Sequence, residues 1–242
     1  MVQDSAGQEF NDDLTLQIRG VDAVPHHQAD PNADPSHGTI ALTLDTSRGP
    51  LRALLDQADG STGAALFFSG ARAGPHEVLG PGDNVYETLA HALPAQGITT
   101  LRLFYRQAGQ FDESVLDVLA GCSFLTGVGV QRIAVVGHSF GGAVAIKAGQ
   151  LAPAVKAVAA LSSQTHGTRQ VNLMRKPLLL IHGTRDNVLH MAASEDIYAR
   201  AREPKQLVLV DGAGHRLQEG AQQLFDELEP FLLAHLGPTA SP

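Results

Sequence analysis

Three residues far apart in the chain carry groups that together could do nucleophilic chemistry: Ser139, Asp186 and His215. Ser139 stands in Gly137-His138-Ser139-Phe140-Gly141, directly after the apolar run 132–137. Asp186 closes His182-Gly183-Thr184-Arg185-Asp186, after the run 177–182. His215 closes Gly212-Ala213-Gly214-His215, after the run 206–210. A serine hydroxyl is a poor nucleophile at neutral pH. It is activated by an imidazole within hydrogen-bond reach, and that imidazole needs an anion to fix its tautomer and stabilise its charged form. A serine, a carboxylate and an imidazole in this chain order suit acyl transfer from a strand–turn–helix elbow. The glycines around Ser139 fit a turn too tight for neighbouring side chains, a geometry that costs about 1–3 kcal/mol. The helix that follows aims its free N–H groups and positive dipole end at the hydroxyl.

Each residue also has a plainer reading. Ser139 suits an ordinary tight turn, and Asp186 suits a helix cap or a turn with Asn187. His215 suits a surface loop, and Asp211 beside Gly212 competes for the acid's role. No carboxylate follows the run 155–161, where Ser162 and Ser163 stand. His138 and His182 suit packing or hydrogen bonding near strand ends, and His76, His91 and His235 suit solvent-facing positions.

The elements that must position these groups are legible as a pattern. Strands are predicted at 64–69, 99–105, 132–137, 155–161, 177–182 and 206–210. Helices are predicted at 84–96, 112–125, 140–151, 191–202 and 218–235. Strands apolar on both faces, alternating with helices, predict a mostly parallel sheet covered on both sides. The runs 39–46 and 50–56 around Ser47-Arg48-Gly49 predict an antiparallel hairpin at one edge. In such a sheet ligands gather at the carboxyl ends of the strands, where Ser139, Asp186 and His215 all fall. The reading is therefore one α/β domain over 39–236, preceded by a polar, partly irregular extension over 1–38 and followed by a flexible tail over 237–242. Within the extension, 14–20 alternates as an edge strand would, and 26–38 reads as loop because Pro25, Pro31 and Pro35 break regular structure. His26, His27, Asp30, Asp34 and His37 there could be imagined around a metal. No helix or strand fixes a ligand face for them, so a solvated loop and no metal are expected.

Composition excludes several classes. The chain has 242 residues, 43% hydrophobic and 17% charged, with a net charge of -8. That balance supports a large core and disfavours nucleic acid and anionic membranes, which need clustered Lys and Arg. A single cysteine, Cys122, precludes an internal disulfide and reads as a buried thiol. The polar, acidic start MVQDSAGQEFNDD does not look like a signal peptide, and no apolar run reaches membrane-spanning length. The expectation is a soluble cytoplasmic protein, monomer or homodimer, acting on a small molecule without cofactor or metal.

GHSFGG at 137–142, HGTRD at 182–186 and GAGH at 212–215, set in this alternation, resemble the α/β-hydrolase superfamily over about residues 39–236. The resemblance implies an α/β-hydrolase fold with Ser139 as nucleophile, Asp186 as acid and His215 as base. It implies the main-chain N–H of Phe140 as one oxyanion donor. A second is implied in the loop after the third strand, FFSGARAG at 67–74. The commonest pattern has His-Gly there, whereas this chain has Ser69-Gly70, and Ala71 N–H is the candidate.

The short core is similar to dienelactone hydrolase-like enzymes, which act on carboxylate-bearing molecules, although that family carries cysteine as nucleophile. Arg72 and Arg106 follow strands and, with Tyr105 and His190, are candidates to line the substrate pocket. Two guanidiniums would favour an anionic substrate, and ordinary salt bridges are the competing reading. Only 162–175 separates two strands where many superfamily members insert a lid, so no lid domain and an open pocket are expected. It would be roofed by that loop, by 105–111 and by Leu189-His190-Met191. The reading is a serine hydrolase, most simply a carboxylesterase on small esters or lactones. A thioesterase, a small peptidase and a non-catalytic binding member are the alternatives.

Overall fold

The computed structural model describes residues 14–30, 32, 38–71 and 80–237. In chain order the elements are β1 (Ile18–Pro25), α1 (His26–Ala29), β2 (Ile40–Thr46), β3 (Leu51–Asp56), β4 (Gly63–Phe68), α2 (Val85–Ala92) and β5 (Ile98–Phe104). They continue with α3 (Phe111–Gly127), β6 (Arg132–His138), α4 (Phe140–Leu151), β7 (Val155–Leu161), β8 (Leu178–Gly183), α5 (Ala192–Arg200), β9 (Lys205–Val210) and α6 (Ala221–Leu236). Among the described residues nine strands form one sheet in the order β1-β2-β3-β5-β4-β6-β7-β8-β9. The pairs β1/β2, β2/β3 and β3/β5 are antiparallel. From β5 through β4 to β9 every neighbour is parallel.

The burial of the strands explains the layering. Every residue of β4 and β8 is buried, as both faces of a parallel sheet covered by helices require. On one face Leu66, Leu101, Val135 and Leu180 meet α3, α4 and α5 through Val118, Val144 and Ile197. On the other face Phe67, Val136 and Ile181 meet α2 and α6 through Leu89, Leu224, Leu228 and Leu232. In α6, Leu224, Leu228, Leu232 and Leu236 recur every fourth residue and form its buried stripe. No helix among the described residues is long and apolar enough to cross a membrane.

Two expectations for the start of the chain need correction. The strand expected over 14–20 runs over Ile18–Pro25 and pairs with β2, so the sheet begins inside the segment read as an extension. The segment read as loop from 26 opens with the single helical turn α1. Asp34 and His37 of the imagined metal cluster lie outside the described residues, as does the 238–242 part of the tail. Cys122 is buried, and burial pushes its thiol up to about 12, so it stays protonated and inert. His91 leans toward buried Asp56, at 3.9 Å, and is not simply solvent-facing.

Candidate active site

The parallel strands β6, β8 and β9 end at one rim of the sheet, and the turns that follow them carry Ser139, Asp186 and His215. The turn after β6 is the tightest. Ser139 has φ 60° and ψ −119°, a conformation that an L-residue holds only when its surroundings impose it. The surroundings are close-packed backbone. A Cβ on Gly137 would overlap the Gly141 carbonyl, and one on Gly141 would lie 2.5 Å from the Ser69 carbonyl oxygen. Ser139 N–H donates to Leu161 O at 2.8 Å, tying the turn to β7. Phe140 is the first residue of α4, where a main-chain N–H has no acceptor within the helix.

The three side chains meet in a line. Ser139 Oγ lies 3.0 Å from His215 Nε2, and His215 Nδ1 lies 2.7 Å from Asp186 Oδ2. With Nδ1–H donating to the carboxylate, Nε2 is left to accept the serine proton. The Asp186 side chain is fully buried, and that of His215 is 16% exposed. Burial opposes the Asp186 charge. The hydrogen bond from His215 and main-chain N–H groups of Leu189 and Val188 outweigh it, and hold the carboxyl below its usual range. Oδ1 takes both N–H groups, at 2.8 Å each. Asp186 therefore does two jobs weighed against each other in the sequence, closing its own turn with one oxygen and holding the imidazole with the other. Asp211 is not on the imidazole; its Oδ1 accepts from Thr184 Oγ1 at 3.1 Å.

Two further histidines serve this line. His138 Nε2 bonds the main-chain carbonyl of His215 at 2.8 Å, with the two rings 4.9 Å apart. Burial lowers His138 to about 4, so the neutral ring donates Nε2–H to that carbonyl at working pH. His182 Nε2 lies 3.1 Å from Asp186 Oδ2 and 2.8 Å from Leu189 O. Its Nδ1 lies 2.7 Å from Ser194 Oγ. Both histidines hydrogen-bond near strand ends, one of the two roles their positions suit, and the four-residue spacing of His182 and Asp186 is the sequence signal for the second contact.

The other candidates divide. Gly70 abuts Ser139, since a Cβ there would lie 3.3 Å from Ser139 Cβ. This brings the loop carrying Ala71 to the hydroxyl, and Ala71 itself is exposed. Tyr105 is buried, its ring 6.0 Å from Phe68 and 6.1 Å from Phe140, edge-on to the latter. Its hydroxyl is buried and has no hydrogen-bond partner among the described residues; the burial of the ring places Tyr105 in the packing beside the elbow and not on an open mouth.

Arg106 is a correction. Its Nε pairs with Asp117, Nη2 pairs with Glu113 at 3.0 Å, and Nη1 donates to Arg48 O at 2.9 Å. A guanidinium so engaged, 5% exposed, is not available to a substrate carboxylate. His190 is exposed, and its Nδ1 accepts from Ala192 N–H at 3.2 Å near the start of α5. Arg72 lies outside the described residues. Among the described residues no group of three His, Cys, Asp or Glu is placed to hold a metal.

Residues 156–220, which include Asp186 and His215, match the sequence model of the serine aminopeptidase S33 family. A search of curated protein sequences finds no match. Solved structures with the same architecture include the esterase domain of a Rhodothermus marinus protein, at 23% identity and a TM-score of 0.68, covering 82% of this chain and 99% of that one. Est1E from Butyrivibrio proteoclasticus is 17% identical with a TM-score of 0.70, over 81% of this chain and 98% of that one. The dienelactone hydrolase from Anabaena variabilis is 21% identical with a TM-score of 0.68, over 79% and 94%. At these identities the likeness establishes the fold.

Proposed function

We propose, from the premise that the chain belongs to the α/β-hydrolase superfamily, that it is a serine hydrolase cleaving small carboxylic esters or lactones. The observation that carries this reading is the unbroken line Ser139–His215–Asp186, at 3.0 and 2.7 Å, ending on a serine in a strained turn. In the proposed reaction Ser139 Oγ attacks the carbonyl carbon while His215 Nε2 takes its proton. Asp186 stabilises the imidazolium that forms. The N–H groups of Phe140 and Ala71 hold the oxyanion. The carbonyl re-forms, the C–O bond to the alcohol breaks, and the alcohol leaves with the proton from His215. Water, deprotonated by the same imidazole, then attacks the acyl-enzyme and releases the acid.

The substrate class follows from what covers the rim. The connection from β7 to β8 contains only the 3-10 turn Val171–Leu173, too little chain for a separate lid. An open site suits small or protruding acyl groups. Esters are favoured by the esterase and dienelactone hydrolase structures that share the fold. The match to a serine aminopeptidase model over the acid and base supports an amide-cleaving reading of the same machinery.

The test is a series of p-nitrophenyl esters of graded chain length beside an aminoacyl p-nitroanilide, with Ser139→Ala as control. Turnover and fluorophosphonate labelling that both vanish in the control fit the proposal. An unlabelled wild-type protein that turns over neither class overturns it in favour of a non-catalytic binding role.

A further inference from the structure

The acid of the site is surrounded more completely than its base requires. Four donors converge on the Asp186 carboxylate: Val188 and Leu189 N–H on Oδ1, and His215 and His182 on Oδ2. His182 is the one that is neither the base nor part of the acid's own turn. It is fully buried at the end of β8. Its hydrogen bonds define its state. Nε2 faces two acceptors, Asp186 Oδ2 and Leu189 O, so it carries the proton. Nδ1 then accepts from Ser194 Oγ–H, on α5. Desolvation lowers the pKa of the ring and keeps it in this neutral form. The polar side chains thus continue past the acid as Ser194–His182–Asp186–His215–Ser139, from α5 to the elbow.

We propose that His182 is a positioning residue for the reaction, its single Nε2–H holding at once the carboxylate oxygen that binds His215 and the far end of the loop that clasps the other oxygen. The inference rests on the catalytic reading of Ser139, His215 and Asp186. The physical reason is that the clasp on Oδ1 comes from Val188 and Leu189, and the loop bearing them is tied down through Leu189 O by His182. Removing that donor frees Oδ2 to turn away from His215 and loosens the N–H groups on Oδ1 in the same step. Ser194 completes the arrangement by donating its O–H to Nδ1, the nitrogen that the two acceptors at Nε2 leave without a proton.

Two substitutions separate positioning from packing. His182→Gln carries an amide N–H close to the place of Nε2, whereas His182→Asn carries its amide near Nδ1 and reaches Ser194 but not Asp186. With p-nitrophenyl acetate, His182→Asn is expected to lower kcat by about tenfold or more, with KM within about twofold. His182→Gln should recover most of that loss. A readout without substrate accompanies it: the low-field proton signal of the His215–Asp186 hydrogen bond, identified by its loss in Asp186→Ala. It should broaden away in His182→Asn and persist in His182→Gln.

Unchanged kcat and unchanged signal in His182→Asn overturn the proposal. So does an equal fall in both variants, which would assign His182 to packing alone. A wild-type protein that shows the signal, and loses it in His182→Asn, but turns over no ester refutes the esterase reading and leaves the positioning role intact.

Discussion

Two polar clusters stand at the rim that carries Ser139 and differ in how they end. One is the line through Asp186, His215 and Ser139. The other, beyond β5, joins Arg106 to Asp117, Glu113 and the carbonyl of Arg48, with Arg48 itself paired to Glu113. The second cluster closes on itself: Asp117 also accepts the Arg106 main-chain N–H at 2.9 Å, and its side chain is fully buried. The first cluster is open at one end. It terminates at a hydroxyl on a strained turn, beside a helix start whose first N–H has no acceptor within the helix. The closed cluster ties a strand end to a helix through paired charges, whereas the open line ends on a hydroxyl held, among the described residues, only by His215.

Breaking the open end should have the largest effect. Ser139→Ala should reduce ester turnover by about 10⁶-fold, read by p-nitrophenyl ester kinetics, with the thermal midpoint little changed. Asp186→Asn should lower kcat by about 10⁴-fold by releasing the His215 tautomer, with the fold retained in circular dichroism.

The closed cluster should answer in the other measurement. Asp117→Ala takes from the buried Arg106 one of its two carboxylate partners and the acceptor of its main-chain N–H, and should cost about 3 kcal/mol in urea unfolding. Its kcat should remain within about twofold of wild type, in keeping with a role confined to structure. A large loss of kcat without loss of stability would erase the distinction between the clusters.

The smallest effect sharpens the comparison by pH. His138 is held neutral, near 4, against an ordinary 6.5 in the unfolded chain. The unfolded state therefore binds the extra proton across that interval, and stability falls as pH drops from 6.5 toward 4. The loss is about 1–3 kcal/mol for such a shift, and His138→Gln should flatten this part of the stability–pH curve.

The open line was readable in the sequence because each member sits in a short, glycine-marked turn directly after an apolar strand. The glycines at 137 and 141 are required by backbone contacts, so their presence carried structural information. The closed cluster was not readable. Arg106 also follows a strand, and its partners on α3, seven and eleven residues on, turn it inward. Nothing local distinguishes a strand-end arginine that faces substrate from one that faces a helix. The parallel strands were legible through continuous apolar runs, whereas β1 was placed too early because seven of its eight residues are exposed. An edge strand with so little buried surface has no hydrophobic alternation to set its limits.

That outermost strand has a consequence for life at high concentration. Among the described residues β1 is the outermost strand of the sheet, and Val21 and Val24 on it are 47% and 43% exposed. Such a margin invites a second molecule to add on and a third after it. The register slip between Ile18 and Gly20, the charges of Arg19 and Asp22 on the same strand, and Pro25 at its end all spoil a straight, uncharged template. The border that contributes least to the core is built to discourage runaway polymerisation.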